Sequence, residues 1–269
     1  MRMRTVRPMD TLTQALYGAA ASRPKSRDRA EHLLVLGGGG VLGSALLARA
    51  LACGRFGRVQ ALVAREVASA LRGFEPLPES ALSGPLLADT AVIVFERMRH
   101  SNGRDEAFVQ PQPPQLADLA TQLRAGGVRR LLVVVPHAPA LLPQALKAGL
   151  ASLDEGRVAA LGFEQLVFVR AAQSGGANRA VGWLNRLAAG WLAQLSWMVP
   201  QLEQPVRAQR VAELAVELAW RLPQARPATR VLPTEVLWQA AQAGDGGALL
   251  SAWLAGEPLA PPQLPRRRW

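Results

Sequence analysis

His32-Leu33-Leu34-Val35-Leu36-Gly37-Gly38-Gly39-Gly40-Val41-Leu42-Gly43 is the stretch on which the fold turns. A short, almost wholly apolar run stops at four glycines. Such a run, bounded by a turn signal, predicts a buried strand entering a tight turn. The residues that follow, Val41–Ala52, place Leu42, Leu46, Leu47 and Leu51 on one helical face, and Cys53-Gly54 ends the helix.

The same texture repeats outward from this point. Val59–Val63 (VQALV), Ala91–Phe95 (AVIVF), Leu131–Val135 (LLVVV) and Gln165–Val169 (QLVFV) read as strands, with Phe74–Leu77 as a brief one. Helices are expected over Glu66–Leu71, Gln115–Ala125 and Ala140–Ala160, the last with Gly149 as a potential break. Residues 97–114 are polar and proline-rich, so they form a loop at the carboxyl side of the strand Ala91–Phe95. Strands apolar on both faces and separated by helices are the pattern of a parallel sheet covered on both sides. The expected fold class is therefore α/β, a doubly wound parallel sheet with right-handed crossovers.

From Gly182 onward the texture changes. All seven tryptophans lie there, and Trp183, Leu184, Leu187, Trp191, Leu192 and Leu195 recur at three- and four-residue steps, an apolar helical stripe. Further helices are expected over Val211–Leu222 and Thr234–Ala243, with Thr234 as N-cap. The expected organisation is a basic, flexible tail over 1–30, a sheet domain over 31–181, a small C-terminal helical lobe over 182–258 and a flexible Pro/Arg-rich tail over 259–269. Plain core accounts for most of the tryptophans, since Trp is largely buried on average. The stripe is also a candidate surface for a homodimer or a protein partner.

Composition narrows the function classes. Of 269 residues, 49% are hydrophobic and 19% charged, which excludes a disordered or low-complexity chain and leaves ample material for a core. The formal net charge of +11 resides mostly at the ends: residues 1–30 contribute +5, and Arg266, Arg267 and Arg268 contribute +3. The body between is nearly neutral, and no recognition helix or aromatic-interleaved basic strand is present. Nucleic-acid or anionic-surface binding through the Arg-rich tails is thus only a secondary reading. Cys53 is the single cysteine, and His32, His100 and His137 lack ligand spacing, so neither a disulfide nor a metal centre is expected. No secretory signal or membrane-spanning stretch is visible, and a cytoplasmic location is expected.

The glycine turn carries the ligand reading. Gly37, Gly40 and Gly43 satisfy G-x-x-G-x-x-G, while Gly38, Gly40 and Gly43 satisfy G-x-G-x-x-G. Either spacing supplies a tight turn, close backbone approach to a pyrophosphate and close packing of helix on strand. Free N–H groups at the helix start, with the positive end of its dipole, then suit phosphate. The expected cradle is Gly37, Gly38, Gly39, Gly40, Val41, Leu42 and Gly43, in a Rossmann fold. The alternative is a glycine-rich turn without a ligand. At the end of the second strand Arg65 suits a 2′-phosphate, so NADP is preferred, while Glu66 leaves NAD open. A dinucleotide needs open space between Gly37–Gly43, Arg65 and Val135, and bulky side chains filling it would defeat this reading.

The ordered set of features resembles the atypical short-chain dehydrogenase/reductase superfamily, an NAD-dependent epimerase/dehydratase-like group, close to its NmrA-like and Tat-interacting-protein-like branches. The parts are the glycine turn 37–43, Arg65, the Asp89–Phe95 strand, Ala125-Gly126-Gly127-Val128-Arg129 before Leu131–Val135, Leu161-Gly162-Phe163 before Gln165–Arg170, and Gln204-Pro205-Val206 before Val211-Ala212. The resemblance covers about residues 31–240. It implies cofactor contacts from Val135 and Pro136 as well as the turn. It also implies catalysis by a Ser and a Tyr-x-x-x-Lys helix, but here the serine position falls on Val135. Pro143 stands four residues before Lys147, and the alternative alignment places the pair on Leu146 and Leu150. The single tyrosine, Tyr17, precedes the first strand. An apolar side chain cannot transfer a proton, so the resemblance carries the fold and the cradle but no catalytic residue.

Three functions follow as expectations. The first is an NAD(P)-binding pseudoenzyme acting as a cofactor sensor or scaffold. The second is an active NADP-dependent oxidoreductase or epimerase-like enzyme that uses other residues, with His137 a candidate acid. The third is the tail-mediated anion binder.

Overall fold

The computed structural model describes residues 31–65, 67, 72–96, 105–137, 153–172 and 206–259. The expectations for the two tails, Glu66, Lys147 and the Trp183–Leu195 stripe lie outside these residues.

Seven strands form one sheet: β1 (His32–Leu36), β2 (Arg58–Val63), β3 (Phe74–Pro78), β4 (Thr90–Val94), β5 (Arg130–His137), β6 (Gln165–Ala172) and β7 (Ala228–Leu232). Their spatial order is β3-β2-β1-β4-β5-β6-β7, and every pairing is parallel. This is the doubly wound Rossmann order, in which the chain reverses direction across the sheet between β1 and β4.

The described residues contain six α-helices: α1 (Gly40–Ala52), α2 (Leu116–Ala125), α3 (Leu153–Ala159), α4 (Ala208–Arg221), α5 (Thr234–Gln242) and α6 (Gly246–Ala255). Successive strand residues point to opposite faces, so each strand feeds two cores. Leu33, Val35, Val92, Val94, Leu132 and Val134 face α1, α4, α5 and α6. Leu34, Leu36, Ile93, Leu131, Val133 and Phe168 face α2 and α3 on the other side. Apolar residues at consecutive positions are required because neither face meets water.

The strands expected at β1 to β6 are all present. Residues 206–259, expected to be helical, contain in addition the strand β7, which pairs with β6 in register Gln165↔Ala228 to Val169↔Leu232. In the sequence ATRVL only Leu232 is buried, and Thr229 and Arg230 interrupt the apolar residues, so the half-exposed edge character hid it. Helix α6 also went unforeseen. It starts at Asp245, whose carboxylate accepts a hydrogen bond from the Ala248 N–H, and it stops at Gly256 in the left-handed region.

No helix among the described residues is long and apolar enough to cross a membrane.

Candidate functional site

The site is built where β1 ends. Gly37 has φ +87° and Gly40 φ +75°, conformations that side chains rarely tolerate, so the chain can turn out of β1 and directly into α1. A Cβ on Gly43 would collide with the Gly37 carbonyl oxygen and come within 2.9 Å of the Gly38 carbonyl carbon. The first turn of α1 thus rests on the strand end. Of the two overlapping spacings, Gly37, Gly40 and Gly43 are therefore the set that the backbone demands.

Helix α1 begins with no side-chain cap from its N-cap residue, Gly39. Its free N–H groups are satisfied from another strand. Glu96, two residues beyond β4, places its carboxylate over the helix start. Oε1 accepts from the Val41 N–H at 3.2 Å, and Oε2 accepts from Leu42 N–H at 2.8 Å and Gly43 N–H at 3.4 Å. A negative group against unpaired N–H donors and the positive helix end is the arrangement that holds a phosphate in this fold. A Cβ on Gly40 would come within 2.6 Å of Glu96 Oε2, so the carboxylate sits directly against the turn.

The connection after β4 covers the rest of the turn. Its described residues from Asp105 onward meet β2, where Phe108 forms an antiparallel bridge with Val63. The Ala64 N–H donates to the Ala107 carbonyl at 2.9 Å, and the Val109 N–H donates to the Leu62 carbonyl at 3.1 Å. Phe108 lies against Gly38, where a Cβ would come 3.0 Å from its ring. The Asp105 carbonyl and the Gln110 side chain lie against Gly39. Gln110 Nε2 is buried and has no hydrogen-bond partner among the described residues.

Arg65, just past β2, is exposed, and its Nη2 stands 3.5 Å from Glu106 Oε2. Val135 is half-buried on β5, one residue beyond the Val94↔Val134 pair, with Pro136 next along the strand. The expected residues thus gather at the carboxyl ends of β1, β2 and β5, around the switch point. The side chains of Phe108, Gln110 and Glu96 occupy the space over Gly38, Gly39 and Gly40, so the open space that a dinucleotide needs is not present in this conformation. Glu96 was missed because nothing local marks it: its role comes from two strand ends meeting in space.

A pyrophosphate fits the donor set. The three N–H groups already hold an anionic oxygen pair and the orphaned Gln110 donor stands beside Gly39, so the donors suit a pyrophosphate although its space is taken. The chain's own carboxylate is the stand-in. Among the described residues, no group of three His, Cys, Asp or Glu could hold a metal ion.

No protein-family pattern and no curated protein matches the chain. Among solved structures, the chain is similar to a short-chain dehydrogenase/reductase superfamily protein from Agrobacterium tumefaciens with bound NAD. That match has 18% identity, spans 85% of this chain and 84% of the other, and has a TM-score of 0.43. It is also similar to a mutated uronate dehydrogenase (14% identity, 86% and 82% covered, TM-score 0.46). A third is the Bordetella bronchiseptica enzyme WbmG in complex with NAD (15% identity, 78% and 88% covered, TM-score 0.38).

Proposed function

We propose that this chain is a nicotinamide-dinucleotide-binding protein of the atypical short-chain dehydrogenase/reductase type that lacks the Ser/Tyr/Lys chemistry and acts as a cofactor sensor or scaffold. The observation that carries the reading is the anion seat: three backbone N–H groups converging on one carboxylate at a glycine turn that opens a helix at the switch point. Gly37–Gly43 would hold the pyrophosphate. Arg65 would meet the 2′-phosphate of NADP, the preferred cofactor, in competition with its acidic neighbour Glu106. Val135 and Pro136 would flank the nicotinamide side. The bound cofactor supplies hydride chemistry wherever it meets a substrate, and this chain contributes binding and orientation.

A seat that is already filled supports the sensor reading over the enzyme reading. Binding would require Glu96, Phe108 and Gln110 to leave Gly38–Gly40, so a ligand would favour the form in which they have moved. A partner can read that change.

Calorimetric titration of the purified chain with NADPH and NADH tests the proposal. Saturable binding of both is expected, with NADPH tighter, and Arg65→Ala should narrow the difference between them. An absence of binding up to about 1 mM, where the free energy is only about −4 kcal/mol, overturns the reading.

A further inference from the structure

Glu96 does more than end a strand. Its carboxylate lies across the seat that a pyrophosphate would take, engaging the N–H groups of Val41, Leu42 and Gly43 together. Two oxygens with one negative charge mimic two phosphate oxygens in number and sign. The same three donors cannot serve both groups at once, and two anions cannot share the seat without strong repulsion in a partly desolvated place. The neighbouring backbone supports the carboxylate's position. Phe95, the residue before it, is buried, and its N–H donates to the Val134 carbonyl at 3.0 Å. Further along the chain, the bridge from Phe108 to Val63 fixes where the connection returns.

We infer that Glu96 is an internal competitor for the dinucleotide seat, so that its removal strengthens nucleotide binding. This rests on the dinucleotide reading above and adds to it the residue that sets the affinity. A merely structural helix cap predicts the reverse: its loss would loosen the start of α1 and weaken any ligand held there. The sign of the affinity change therefore separates the two roles.

The experiment compares the full chain with Glu96→Gln and Glu96→Ala by calorimetric titration with NADPH and with NADH. Amide hydrogen exchange is followed in the nucleotide-free proteins. Both variants are expected to bind at least fivefold tighter than the wild type. In Glu96→Ala, exchange at Val41, Leu42 and Gly43 should accelerate before nucleotide is added. Binding strengthened less than fivefold, or weakened, overturns the role of Glu96 and leaves the dinucleotide reading standing. No binding by any of the three proteins overturns both. Unchanged exchange at the three amides in Glu96→Ala shows that the carboxylate does not hold them and overturns the inference independently of any ligand. Glu96→Gln keeps the shape of the side chain, so a folding defect confined to the alanine variant leaves the affinity comparison intact.

Discussion

Gly43 shows how one hydrogen in place of a methyl group fixes the join of strand and helix. Alanine is the better helix former by about 1 kcal/mol. At this position, however, its Cβ would press on the Gly37 carbonyl oxygen and on the carbonyl carbon of Gly38, both backbone atoms of the tight turn that follows β1. Neither can rotate away as a side-chain tip would. Overpacking of this kind costs about 1–3 kcal/mol, which outweighs the helix gain. Gly43→Ala is expected to lower the thermal midpoint, and Gly54→Ala, where open space surrounds the Cβ but φ is positive, to lower it less. Differential scanning calorimetry of the two variants checks the order. These glycines were legible in the sequence because each enforces a rule of the local backbone. Glu96 was not, because an acidic residue after an apolar run looks the same whether it faces solvent or a helix end. Arg65 stands between the two cases. Its place past β2 was legible, but its pairing with Glu106 depends on a loop returning from β4.

At the scale of elements, the entries of β5 and β6 are tied together outside the ladder. Arg129 donates to the Glu164 carboxylate through Nε at 2.8 Å and Nη2 at 3.0 Å, and the Glu164 N–H donates to the Arg129 carbonyl at 2.8 Å. The hydrogen bond from Arg129 holds the Glu164 carboxyl below its ordinary value, and the same bond raises Arg129. A carboxyl lowered on folding contributes stability above the ordinary carboxylate range and loses it as pH falls through the lowered value. Both side chains are more than a third exposed, so solvent screens the pair and its worth is about 0.2–1 kcal/mol. Glu164→Gln should therefore destabilise slightly at neutral pH and not at all once the pH is well below the carboxylate range. Urea unfolding of wild type and variant across pH measures this. The strands themselves were readable where burial on both faces demanded unbroken apolar runs, as in Leu131–Val135. β7 was not, because an edge strand only partly covered on either face admits Thr229 and Arg230 at consecutive positions and so loses the signal.

For the whole molecule, the C-terminal helices are part of the main core. Leu232, Leu237, Leu250 and Leu254 are buried in the same cluster as β1, β4 and β5 residues. Burying one such side chain is worth about 1.5–3 kcal/mol. Four together approach the entire net stability of a typical domain, about 5–15 kcal/mol. A chain ending after Leu222 is thus expected to lose cooperative unfolding, as monitored by near-ultraviolet circular dichroism. Retention of a sharp transition would mean that the sheet stands without this segment.

The parallel sheet also has a consequence for the order of synthesis. The edge at β3 is complete early in the chain, but β7, which completes the other edge, follows β6 by more than fifty residues of chain. Until the ribosome has delivered it, Leu166-Val167-Phe168-Val169 has a partner on one side only. An apolar strand with an unpaired flank is a template for another nascent copy. Between those two strands the growing chain therefore carries its longest-lived unpaired apolar edge on that side of the sheet.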